Sequence, residues 1–168
     1  MKGKFLLAFA AAIGCAAVQA SVSFRDGTLT INGETTLKNL GEVLSGEYAD
    51  YYTALKTNDG TITNVVLSGS SNVRLTEDLD YTGAWNLSSA TAYIGSYDSV
   101  THKVIDDPTS PFGKGTGAAA LITVNAGNGS QIRSNSYSVN GVIDAPIRIT
   151  GGSSSSKALY LNGGKYLP

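Results

Sequence analysis

Cysteine is almost missing from this sequence. Its 168 residues include one cysteine, one histidine, one methionine, one tryptophan and four prolines. A lone thiol cannot form an intrachain disulfide. A chain cut after Ala20 would keep no thiol at all, which excludes thiol catalysis and thiolate metal sites. A single histidine excludes any metal site built on two. Charge is also scarce, with 12 basic and 13 acidic side chains making up 15% of the residues. No basic patch is available for nucleic acid, and no polybasic run is available for an anionic membrane. No apolar run reaches the roughly 20 residues that a membrane-spanning helix needs.

The first twenty residues do carry a pattern. Lys2 and Lys4 form a positive start, Phe5 to Ile13 an apolar centre, and Val18-Gln19-Ala20 a small-residue cut site before Ser21. This is the layout of a cleavable bacterial-type secretory signal peptide. Cleavage between Ala20 and Ser21 removes 20 residues and two of the 12 basic side chains, leaving 148 residues at net charge −3. Ala12-Ile13-Gly14-Cys15 partly resembles a bacterial lipobox, which implies lipidation of Cys15. Ala12 and Ile13 depart from that pattern. The alternative is that Cys15 is one more small residue of the discarded peptide.

Residues 21–168 amount to one domain. Twenty glycines and many Ser, Thr and Asn alternate with β-branched residues, which predicts short strands divided by turns. Strands are expected at 21–24, 27–31, 61–67, 72–75, 92–94, 119–124, 131–133, 137–139, 142–143, 147–150 and 158–161. Leu37, Leu40, Val43, Leu44, Tyr48, Tyr51, Tyr52 and Leu55 recur at helical spacing. They predict a helix over 47–55, stopped by Asn58-Asp59-Gly60, with Thr35 as a candidate cap and 36–45 undecided because of Gly41 and Gly46. His102 to Gly117 reads as a long irregular insertion.

The segments Asn140–Ile149 (NGVIDAPIRI) and Lys157–Gly164 (KALYLNGG), with Gly27–Gly33 (GTLTING), resemble coils of bacterial autotransporter passenger domains. That resemblance implies an all-β, right-handed parallel β-helix with a short N-terminal capping helix. An antiparallel β-sandwich, as in fimbrial-type subunits, is the alternative. The chain stops at Pro168 soon after a strand, so it is expected to be the N-terminal part of a longer β-solenoid or to pair its last edge with a partner.

Chemistry is thin. Glu77, Asp78 and Asp80 lack the spacing of a Ca²⁺ loop, and a solvated turn is the default. His102, in a polar insertion, has no specified nucleophile to serve. Gly113-Lys114-Gly115 lacks the preceding glycine and the following Ser or Thr of a phosphate loop. Arg133 and Arg148 lie far in sequence from the acidic run, and only Arg74, three residues before Glu77, is near it, unlike the Asp-rich Ca²⁺ sites with Arg or Lys bases of polysaccharide lyases of the same fold. Tyr81, Trp85, Tyr93 and Tyr97 could stack on sugar rings, with core packing as the competing reading.

The expectation is therefore a non-enzymatic exported surface or secreted protein, structural or adhesin-like, with a carbohydrate-binding or polysaccharide-degrading β-helix as the alternative. It needs no cofactor. Its partners would be surface glycans or other envelope proteins. The leader sets the first test. Mass spectrometry of the exported full chain should find Ser21 at the N-terminus. An acylated Cys15 there would show lipoprotein processing instead.

Overall fold

The computed structural model describes residues 20–98, 100, 101, 103–134, 142–152 and 158–160. The signal segment, Cys15, His102 and the expected strand at 137–139 lie outside them. The chain is mostly β. In order come β1 (Ser21–Arg25), β2 (Thr28–Asn32), β3 (Lys38–Asn39), α1 (Leu40–Val43), α2 (Ala49–Thr57), β4 (Asn64–Leu75), β5 (Ala84–Ile94), β6 (Ser96–Asp98), β7 (Lys103–Asp106), β8 (Ile122–Asn125), β9 (Gln131–Ser134), β10 (Ile147–Thr150) and β11 (Leu159–Tyr160).

Seven of the nine ladders between described strands are parallel. Antiparallel pairing is confined to β1–β2 and β6–β7. This sets aside the antiparallel sandwich, which would be made of hairpins. The parallel strands form two runs. One is β2-β4-β5-β8-β10, using the first halves of β4 and β5. The other is β3-β4-β5-β9-β11, using their second halves.

Register converts the pairing into a core. Leu29, Val65, Trp85, Ile122 and Ile147 occupy equivalent positions in successive strands, and so do Ile31, Leu67, Leu87, Val124 and Ile149. In the second run Val73, Ala92, Ile132 and Leu159 align. All but Ile147, Ile149 and Leu159 of the last strands are buried. Strand side chains alternate between faces, so each inward row leaves an outward row between its members.

The strands turn between the two runs at a corner. Ser68 pairs with Ser88 and Ser71 with Ala90, so Gly69 and Ser70 stand opposite Ser89 alone. Gly69 is required there. Its φ is 62°, and a Cβ would lie 1.9 Å from Asn32 Oδ1. Inside the corner, Ser71 Oγ accepts from Glu34 N at 3.2 Å, and Ser130 Oγ accepts from Ala90 N at 3.4 Å. Both serines are fully buried. The buried Glu34 carboxylate is held by Lys38 Nζ at 2.9 Å and Thr36 N at 3.1 Å.

Helices and loops close the remaining side. α1 starts at Asn39, whose N–H donates to Glu42 Oε2 at 2.8 Å, so the cap is Asn39 and not Thr35. Gly41 fits because the Tyr52 ring would lie 3.0 Å from a Cβ there. α2 buries Ala54 and Leu55 and ends at Asn58 in left-handed geometry, at the expected stop. Tyr51 packs on Phe24 with ring centroids 5.1 Å apart, which fastens α2 to β1. The backbone then stacks outward from the helix, with Tyr81 N donating to Leu55 O at 3.0 Å and Lys114 N to Tyr81 O at 2.8 Å. The expected insertion over 102–117 is partly ordered, since Lys103–Asp106 pairs with Ser96–Asp98. The rest is a packed strap in which Pro108, Ser110, Pro111, Phe112, Gly113 and Gly115 are buried.

Gly113 lets that strap lie flat. Its φ is 99°, and a Cβ would lie 2.1 Å from Tyr81 O. Gly113→Ala should cost about 2–4 kcal/mol, read as a lower urea midpoint. An unchanged midpoint would mean that the strap is not packed this way.

Candidate functional site

The four aromatic residues expected to bind sugar do not share a face. Trp85 and Tyr81 are each 1% exposed, so no ring face is available for stacking. Trp85 lies in the inward row beside Val65 and Ile122. Its indole meets Phe112 edge-on at 5.3 Å and Tyr81 edge-on at 6.0 Å. The indole N–H donates to Phe112 O at 2.9 Å, and Tyr81 Oη donates to Ala84 O at 2.9 Å. Burial pushes the Tyr81 phenol well above its ordinary range. These two aromatics pin the strap to the core, and their polar tips are satisfied as buried Trp and Tyr require. Tyr97 is half-buried in the β6–β7 hairpin.

Tyr93 behaves differently. It faces outward on the second run, where Asn39, Arg74, Tyr93 and Arg133 occupy equivalent positions in successive strands. The Arg133 guanidinium lies over the Tyr93 ring at 5.7 Å, a cation–π contact. Arg74 Nη1 donates to Asn39 Oδ1 at 3.3 Å. Arg74 Nε is buried without a hydrogen-bond partner. The three arginines singled out in sequence therefore divide: Arg74 and Arg133 join one row, and Arg148 lies on the first run in the row of Thr30, Val66, Asn86 and Thr123. The first run also carries an outward row of Asn32, Ser68, Ser88, Asn125 and Thr150. Sequence reading overlooked these rows because neighbouring members lie 19 to 40 positions apart. No fixed spacing links them, since the steps along the Asn39-Arg74-Tyr93-Arg133 row are 35, 19 and 40 residues.

The acidic cluster holds structure together. Glu77 pairs with Lys56 of α2, and Asp80 pairs with Lys114 of the strap. Asp78 accepts from Ser110 N at 2.7 Å and from Thr109 Oγ1 at 3.0 Å. Each carboxylate fastens a different neighbour, so the three do not converge on one ion. Lys114, in the loop that has the look of a phosphate cradle, is engaged by Asp80. Among the described residues no group of three or more His, Cys, Asp or Glu could hold a metal ion, and no helix is long and apolar enough to cross a membrane.

Compared with known proteins, the chain matches no family model, no curated protein and no solved structure.

The Asp78 contacts have a pH signature. Burial would raise its pKa, but the bonds from Ser110 and Thr109 outweigh that and lower it. A carboxylate with a lowered folded pKa stabilises the fold above its unfolded value, near 4, and loses that contribution as pH falls through the folded value. Asp78→Asn should cost about 1 kcal/mol at pH 7 and flatten the loss of stability below pH 4. Urea titrations at pH 7 and pH 3 measure both, and equal losses for Asp78→Asn and wild type between those two pH values would show that Asp78 does not anchor the strap.

Proposed function

We propose that this chain is an exported, non-enzymatic surface protein, adhesin-like in action, whose strands are coils of a right-handed parallel β-helix. One observation carries the reading. Parallel pairing in constant register places like positions of successive strands in continuous outward rows, as in Asn39-Arg74-Tyr93-Arg133. Such a surface repeats at the strand spacing of about 4.8 Å and offers many weak contacts over a long face. Stacked coils use that arrangement to build extended binding surfaces. The signal-peptide pattern supports an exported chain, with glycans and envelope proteins as its partners. α1 and α2, packed at the start of the stack, act as its N-terminal cap.

A carbohydrate-binding protein is the second reading. Burial of Trp85 and Tyr81 moves any sugar contact away from the original aromatic set and towards the outer face around Tyr93.

Bacteria displaying the full chain should adhere to glycan- or matrix-coated surfaces. The double substitution Arg74→Ala, Arg133→Ala should lower adherence about fivefold or more, with circular dichroism unchanged. Equal adherence of wild type, the double variant and cells lacking the chain would refute an adhesive role for this face.

A further inference from the structure

At the corner between the two runs, successive coils enclose an open groove of about 240 Å³. Ser70 and Asn72 reach it from β4, Ser89 and Thr91 from β5, and Asn128 from the turn after β8. Among the described residues no charged or aromatic side chain lines it. Ser71 and Ala90 form its floor and are buried.

The lining is rich in unused hydrogen-bonding capacity. Among the described residues, the side chains of Ser70, Ser89, Thr91 and Asn128 make no hydrogen bond. Asn72 directs its amide N–H groups to Thr35 O and Ser70 O, both at 3.3 Å, which leaves its side-chain carbonyl available. The contrast with the inner corner is sharp, since Ser71 and Ser130 are engaged by backbone N–H groups. Ser70 and Ser89 also adopt left-handed geometry, with φ of 65° and 58°. Glycine would sit there with less strain, so the hydroxyls are kept against a conformational cost.

We infer that the corner groove binds an uncharged polyhydroxyl ligand, a neutral saccharide, held by Ser70, Asn72, Ser89, Thr91 and Asn128. The inference rests on the reading of the outer surface as a binding surface and names its ligand. Hydroxyls that both donate and accept, with amide groups beside them, match the hydroxyls of a sugar. The absence of charge from the lining argues against an acidic saccharide. On the neighbouring row, Arg74 is hydrogen-bonded to Asn39 and Arg133 lies over Tyr93. The volume is below the roughly 300–1,000 Å³ of a pocket for a drug-sized ligand, so the groove takes one sugar unit of a chain that continues along the surface. Free groups on successive coils recur at about 4.8 Å, close to the length of one pyranose unit. Asn72 and Thr91 precede Arg74 and Tyr93 by two residues on the same strands, so the groove borders the Arg74-Tyr93-Arg133 row.

The test uses the full chain, exported from a bacterial host, against two sets of probes. Maltohexaose, cellohexaose and mannohexaose are the neutral set. Heparin and polygalacturonate are the acidic set. Titration calorimetry measures binding, and thermal unfolding is followed in parallel. A neutral hexasaccharide should bind. The double substitution Ser70→Gly, Ser89→Gly should weaken binding about tenfold or more while raising the unfolding temperature. Asn128→Ala should also weaken binding, without that rise. Serines that only shape the corner would give the stability gain with affinity unchanged, and that result overturns the assignment. Binding of the acidic probes alone, lost in Arg74→Ala with Arg133→Ala, would also overturn it while leaving the outer face as a binding surface. No binding of any probe by a folded, adherent protein would sink the saccharide assignment and keep the adhesive reading. No binding with no adherence would remove both.

Discussion

The β4–β5 ladder is the constraint on which the rest of the structure depends. It runs along both halves of each strand, from Asn64 opposite Ala84 to Leu75 opposite Ile94, and breaks register only at the corner. Every other parallel strand pairs with one of these two or continues from a strand that does. The ladder places Val65 over Trp85 and Leu67 over Leu87, so the apolar rows exist because the backbone register does. With one cysteine in the chain, no intrachain disulfide can substitute for it. Stability must come from burial and backbone pairing, and both are set by the same register.

Trp85 is the largest side chain in those rows, and it reaches across to Phe112 of the strap. Its N–H on Phe112 O and its edge contacts with Phe112 and Tyr81 hold the strap against the core. Glu77, Asp78 and Asp80 then fasten the connection between β4 and β5 to α2 and to the strap. A tryptophan and an acidic run, each a natural candidate for ligand chemistry, thus serve closure. The outer face is left to smaller polar residues and to the Arg74-Tyr93-Arg133 row.

Part of this was legible in the sequence. Leu29 and Ile31, alternating with threonines between two turn dipeptides, mark a half-buried strand, and β2 lies there. Asn58 stops α2 as its turn chemistry implies. The first half of β5 was hidden, for a definite reason. Its inward residues are Trp85 and Leu87 before the corner, then Ala90, Ala92 and Ile94 after it. Ser89, in left-handed geometry, shifts the alternation by one, so a period-two search loses phase in mid-strand. The short α1 was obscured by Gly41, whose smallness serves Tyr52 and could not be traced to it from sequence. The groove was invisible because its residues come from β4, β5 and the turn after β8.

The corner also bears on how such a chain can change over time. β4 crosses it with Gly69 and Ser70, β5 with Ser89 alone, and the β8–β9 connection with the residues from Ala126 to Gly129. In each case the strands on both sides return to register. Insertions and deletions at this position are therefore absorbed locally and do not shift the apolar rows. The corner is a site where sequence length can drift while the scaffold stays fixed.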